Sequence, residues 1–213
     1  MTTGPTIFIV DDDPSVRKSL ARVVTSAGYR VEAFASARDF VARAPSPGPG
    51  PSCVVLDVRM PGLTGLDLQA ALTRAERPMP IVFITGHSDI SMSVNAMKAG
   101  AVDFLTKPFD VEHLLDAIRR AIAKDVKDRG EEDRAADVRQ RVQQLTPRET
   151  EVFALVVTGM LNKQIAGALG IGEKTVKVHR ARVMEKMRAG SVAELVRLAD
   201  RAGVIAAHPT KVQ

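Results

Sequence analysis

Hydrophobic and polar positions follow two regimes along the chain. Up to about residue 123, five short apolar runs rich in β-favouring residues alternate with stretches whose apolar positions recur at helical spacing. The runs are Thr6–Val10, Tyr29–Phe34, Cys53–Leu56 with Asp57 at its tip, Ile81–Ile84 and Val102–Leu105. Between them, Val16, Leu20, Val23 and Val24 form one helical stripe that Gly28 ends, and Ala37–Ala44 reads as a second helix before a Pro/Gly loop from Pro45 to Pro51. Leu66, Leu68, Ala71 and Leu72 mark a third helix to about Ala75. A fourth runs from about Asp89 to Lys98, and a fifth begins near Asp110 with Leu114, Leu115, Ile118 and Ile122 on its face. Strand-helix alternation of this kind predicts an α/β domain: a (βα)5 doubly wound parallel sheet, with right-handed crossovers placing helices on both faces. Its span is 1–123.

Residues 124–144 are dense in both charge signs and poor in apolar positions, which reads as a solvated helix or semi-rigid linker weakened by Gly130. Helical spacing then resumes without strands. Thr146 as cap, Pro147 at the first helical position and Glu149 three residues after the cap start a helix that runs to Gly159. Asn162–Leu169, about Glu173 to Met187, and Ser191–Ala202 complete an all-α, four-helix domain over 145–205, leaving a tail at 206–213. The short helix Asn162–Leu169 joined through Gly170-Ile171-Gly172 to the next one predicts a helix-turn-helix.

Composition changes this picture in one respect. With 45% hydrophobic and 26% charged residues the chain is ordinary for a globular protein, and its one cysteine, Cys53, excludes an intramolecular disulfide and fits a reducing compartment. Neither a signal-peptide pattern nor an apolar stretch of membrane-spanning length is present, so a cytoplasmic protein is expected. Charge is uneven, however: residues 1–125 carry 14 Lys/Arg and 14 Asp/Glu, residues 126–145 carry 5 of each, and residues 146–213 carry 11 against 6. The whole net charge of +5 therefore falls in the last third of the chain, which suits a polyanion as partner.

The candidate chemistry lies at the strand ends. Asp11 and Asp12 follow the first run, Asp57 ends the third, Thr85 follows the fourth and Lys107 the fifth; in a parallel sheet all five meet at one edge. Any one of them alone reads as a cap or a turn residue, and it is their joint placement that carries weight. Three gathered carboxylates call for a cation, and all-oxygen ligation favours Mg²⁺. With Mg²⁺ on one side of a phosphoryl group and Lys107 on the other, Asp57 becomes an in-line nucleophile that forms an acyl phosphate, with Thr85 hydrogen-bonding a phosphoryl oxygen.

These residues, in Val10-Asp11-Asp12-Asp13, Leu56-Asp57-Val58-Arg59-Met60-Pro61-Gly62, Ile84-Thr85-Gly86, Ala96-Met97-Lys98-Ala99-Gly100-Ala101 and Phe104-Leu105-Thr106-Lys107-Pro108-Phe109, resemble the receiver domain of two-component response regulators over about residues 5–123. The resemblance implies that Asp57 accepts phosphate from a sensor histidine kinase, that Asp12, Asp57 and the backbone carbonyl of Arg59 bind Mg²⁺ with Asp11 acting through water, and that Lys107 contacts the phosphoryl group beside a cis Lys107-Pro108 bond. It also assigns a switch to Thr85 and Phe104, where Phe104 lacks the hydroxyl of a tyrosine.

In the helical domain, Lys174, Lys177, Val178, Ala181 and Arg182 share one side of a helix, opposite Val176, Val183 and Met187. The stretch from Leu145-Thr146-Pro147-Arg148-Glu149 through Asn162-Lys163-Gln164-Ile165-Ala166 and Lys174-Thr175-Val176-Lys177-Val178-His179 to Met184, Lys186 and Met187 resembles the LuxR-type output domain of the NarL/FixJ class. That resemblance implies that Lys177 and Val178 read base edges of a double-stranded operator, that Lys163, Lys174, Thr175 and Arg182 steady the backbone, and that His179 contacts phosphate or packs. It further implies a homodimer on phosphorylation, RNA polymerase as a partner, and no turnover of a substrate. Two other readings stay open at this level: a signal-independent DNA-binding dimer with a degenerate receiver, and a phosphatase or phosphotransferase with an aspartyl nucleophile.

Overall fold

The computed structural model describes residues 4–43, 50–74, 78–86 and 90–203. Within it the chain divides into two compact units, Met1–Asp128 and Arg129–Gln213. The first contains five parallel strands, β1 Thr6–Val10, β2 Arg30–Phe34, β3 Ser52–Asp57, β4 Ile81–Thr85 and β5 Asp103–Thr106, in the sheet order β2-β1-β3-β4-β5. They alternate with α1 Pro14–Ser26, α2 Ala37–Arg43, α3 Gly65–Thr73, α4 Ile90–Lys98 and α5 Val111–Gln143. The expected ends at Ala44, Ala75 and Asp89, the loop at 45–49 and the tail at 206–213 lie outside the described residues.

Strand side chains alternate between two apolar layers, as the two-residue period of a pleated sheet requires. Phe8, Val10, Val54, Leu56, Ile81 and Phe83 join Phe34, Phe40, Leu68 and Ala96 on one face. Ile7, Ile9, Cys53, Val55, Val82 and Ile84 join Leu20, Val24, Leu114, Ile118 and Ala121 on the other. Each layer is roofed by its own helices, α2, α3 and α4 on the first and α1 and α5 on the second. Strand β3 is buried along its whole length, so its register is fixed from both faces.

Helix α5 differs from the expected pattern. The stretch 124–144, expected as a solvated helix or semi-rigid linker, is helical, but it is continuous with the fifth helix and runs through Gly130 to Gln143. Asp125, only 5% exposed, accepts a hydrogen bond from the Ser52 backbone N–H at 2.8 Å and so belongs to the first unit. Val138, 2% exposed, belongs to the core of the second.

That second unit contains α6 Pro147–Val157, α7 Asn162–Leu169, α8 Glu173–Met187 and α9 Val192–Arg201. Thr146 and Glu149 form the reciprocal cap expected at the start of α6, and Ser191 caps α9 through the Glu194 N–H. Between α7 and α8, Gly170 adopts a left-handed conformation at φ 64°, which glycine enters without penalty. Val152, Phe153, Val156, Ile165, Val176, Val183, Met187 and Leu195 fill the core.

Candidate functional site

Register places the site. Val10 pairs with Leu56, Asp57 with Ile84 and Thr85 with Thr106. Asp11 therefore leaves β1 beside Asp57, Thr85 lies one residue beyond the partner of Asp57, and Lys107 follows the partner of Thr85. The sheet order reverses between β1 and β3, so the loops leaving those two strands diverge and open a crevice at their carboxyl ends.

Asp11, Asp12 and Asp57 each present a carboxylate oxygen within 4.8 Å of the others, a grouping able to hold a metal ion. Asp11 is fully buried and both of its oxygens are engaged, one by the Asp13 N–H at 2.8 Å and the other by Lys107 Nζ at 2.7 Å. Lys107 Nζ stands 3.8 Å from Asp57 Oδ2, and the backbone N–H of Lys107 is tied to the Thr85 carbonyl at 2.7 Å. The Lys107-Pro108 bond is cis, as the resemblance implied. Asp57 Oδ1 is buried and accepts no hydrogen bond. Burial pushes the Asp57 carboxyl above its ordinary range; the Lys107 ammonium pulls it back, and Asp11 adds to the rise. A desolvated carboxylate oxygen without a donor, inside a ring of other carboxylates, is a poor resting arrangement unless a cation or an electrophile completes it. The donor set thus fits a hard divalent cation.

Thr85 is fully buried at the end of β4, while Phe104 on β5 is half-buried and packs on Phe83 at 6.0 Å between ring centroids. Arg59 lies exposed in the loop that follows β3.

The strand-end pattern did not reveal two further residues. Arg17, one turn into α1, donates from Nη1 to the backbone carbonyls of Asp11 and Asp12. Gly65, at the start of α3, donates its N–H to the Val58 carbonyl at 3.0 Å, and a Cβ there would fall 2.4 Å from the Asp57 carbonyl oxygen. Only the Gly-x-x-Gly spacing after Pro61 hints at this crossing. Gly65→Ala must displace the segment carrying Asp57, and we expect thermal unfolding of the full chain to register a loss of about 2 kcal/mol in the receiver transition.

In the helical unit, Lys163 on α7 and Lys174, Thr175, Lys177 and Arg182 on α8 are exposed, and Val178 is 47% exposed, which is high for a valine. The opposite face of α8 buries Val176, Val183 and Met187. His179 is half-buried, with an Nδ1 that lacks a hydrogen-bond partner. Arg180 braces α8 against the start of α7 by donating to Asn162 Oδ1 at 2.8 Å. The result is a basic, partly apolar helix face supported by a packed core, a form suited to a DNA groove.

Comparison with known proteins agrees. Residues 7–119 match the response regulator receiver domain family, and residues 143–199 match the luxR family of bacterial regulatory proteins. Nodulation protein W of Bradyrhizobium diazoefficiens is 47% identical over 212 residues, covering 100% of this chain and 92% of that protein. The transcriptional regulatory protein FixJ of the same species is 44% identical, covering 96% of this chain and 99% of the other. Among solved structures, the response regulator StyR superposes with a TM-score of 0.77 at 46% identity, over 93% of this chain and 100% of that one. Full-length FixJ from B. japonicum gives 0.56 at 43% identity, over 96% and 100%. The phosphatase reading falls with this assignment: the chain belongs to the response-regulator family, as a transcriptional regulator with a receiver domain and a LuxR-type DNA-binding domain.

Proposed function

We propose that Asp57 is the phosphoacceptor and that its phosphorylation controls DNA binding. The observation that carries this reading is Asp57 Oδ1, buried and without a donor, beside Asp11, Asp12 and Lys107. In the reaction, Asp57 Oδ1 attacks phosphorus as the phosphorus–nitrogen bond to a phosphohistidine of the sensor kinase breaks, leaving an acyl phosphate on this chain. Lys107 holds one phosphoryl oxygen and the Thr85 hydroxyl another. Asp12, Asp57 and the Arg59 carbonyl, with Asp11 through water, would hold Mg²⁺, which would neutralise charge on the phosphoryl oxygens. The complete acid–lysine set favours this over a signal-independent DNA-binding dimer.

Output follows from movement of Thr85 toward the phosphoryl group, with Phe104 turning into the space released. The phosphorylated protein forms a dimer on a double-stranded operator, where Lys177 and Val178 read base edges, Lys163, Lys174, Thr175, Arg182 and His179 engage the backbone, and RNA polymerase is the next partner. All of this takes place in the cytoplasm; no helix among the described residues is long and apolar enough to cross a membrane. Incubation with a small phosphodonor and Mg²⁺ followed by intact mass should add one phosphoryl group, and light scattering should then record a dimer. A dimer of unchanged mass without the donor would overturn the phosphorylation-driven form. Thr85→Ala should still accept the label yet lose most of the gain in operator affinity, read by titration of labelled operator. An undiminished gain would remove Thr85 from the switch.

A further inference from the structure

We propose that Arg17 is a positioning residue for the cation site, acting on Asp11 and Asp12 through their backbone. This rests on the reading of the acidic cluster as a Mg²⁺ site. The loop from Asp11 to Asp13 links β1 to α1, and each of its acids has a different task. Asp13 caps α1 by accepting the Ser15 N–H at 2.7 Å, and Asp11 accepts the Asp13 N–H at 2.8 Å. Their carboxylates thus fix the inner and outer ends of the loop. Asp12 between them is exposed.

Arg17 supplies the missing constraint. Its Nη1 donates to the Asp11 carbonyl at 2.7 Å and to the Asp12 carbonyl at 2.8 Å, drawing both peptide oxygens to one side. The carboxylates of the same two residues gather on Asp57. A guanidinium suits this role because its planar fork loses little freedom when it binds. It also sets a positive charge near three carboxylates, which would weaken cation binding if charge alone mattered. Arg17 is partly exposed and so screened by solvent, whereas its two hydrogen bonds act directly on the ligand-bearing peptides. Orientation therefore outweighs repulsion, and loss of Arg17 weakens the site.

Mn²⁺ is a suitable probe, since it accepts the same all-oxygen ligation and its free and bound forms are separated by electron paramagnetic resonance. In the full chain, Arg17→Ala should weaken Mn²⁺ binding about tenfold, the range seen when partners of metal ligands are removed. Arg17→Lys, which keeps a charged donor, should fall between the alanine variant and wild type. Labelling of Asp57 by a small phosphodonor should slow in Arg17→Ala at low Mg²⁺ and recover at saturating Mg²⁺. Unchanged or tighter Mn²⁺ binding by a folded Arg17→Ala protein would overturn the proposal. Should that variant not fold, the lysine variant decides: weaker binding supports the role, and binding equal to wild type rejects it. Wild type that binds Mn²⁺ but takes no label refutes the phosphoacceptor reading while leaving Arg17 in place; wild type that binds no Mn²⁺ refutes both.

Discussion

Asp57→Asn is expected to abolish phosphoryl labelling outright while leaving the receiver folded, and at neutral pH no less stable than wild type. The two halves of this expectation have one cause. Asparagine fills the same space, but its amide oxygen carries no charge with which to attack phosphorus. Burial and the neighbouring Asp11 hold the Asp57 carboxyl above its ordinary range, so the ionised side chain works against the fold. For an acid whose native pKa is raised, this cost appears as pH climbs from the ordinary carboxylate range through the raised value. The neutral amide removes it. Lys107 loses little, because its shorter contact is to Asp11, at 2.7 Å against 3.8 Å to Asp57. Intact mass after treatment with phosphodonor and Mg²⁺ reads the chemistry, thermal unfolding in metal-free buffer reads the stability, and added Mg²⁺ should stabilise wild type more than the variant. Residual label on Asp57→Asn would place the phosphoacceptor elsewhere; a variant much less stable than wild type would mean that Asp57 serves the fold.

The sheet and the acid cluster were legible because they depend on short-range signals. An apolar run of four or five residues that stops on a polar one states both a strand and its end. Parallel topology then gathers those ends without any knowledge of side-chain contacts. Glycine marks the turn between α7 and α8, with Gly170 at the end of the first and Gly172 at the start of the second. What stayed hidden depends on distant pairs. Arg17 acts on the carbonyls of Asp11 and Asp12, and Gly65 through its close approach to the Asp57 carbonyl, neither of which a hydrophobicity pattern records. The second half of α5 was legible as a charged helix, but its few buried positions, Asp125, Ala135 and Val138, were not, because they are scattered among charges. A carboxylate buried against the Ser52 N–H leaves no trace in a hydrophobicity pattern. Glu149 was legible as a cap but not as half of an ion pair, since its second partner, Lys186, lies 37 residues away.

That pair gives the second large effect, and the two partners should not cost the same. Glu149 is 2% exposed; its carboxylate accepts from the Thr146 backbone N–H at 2.9 Å and from Lys186 Nζ at 2.6 Å. Lys186 is 34% exposed and also donates to the Gln144 carbonyl at 3.1 Å. Lys186→Met therefore strands a buried charge, which costs about 3 kcal/mol. Glu149→Gln leaves an ammonium that water can reach and an amide that still caps α6, a loss of about 1 kcal/mol. The pH dependence separates the cases further. The Lys186 ammonium and the Thr146 N–H hold the Glu149 carboxyl down to about 2 from 4.5. Because this pKa is depressed, its stabilisation is complete above pH 4.5 and fades as pH falls toward about 2. In Lys186→Met the largest cause of the depression is gone while burial remains, so acidification protonates the stranded carboxyl and narrows the gap to wild type. Hydrogen exchange of peptides from α6 and α8, corrected for the intrinsic rate at each pH, measures both effects in the full chain, with the receiver peptides as internal reference. Equal losses for the two variants, or a Lys186→Met deficit that grows on acidification, would show that Glu149 and Lys186 contribute as surface charges and not as a buried pair.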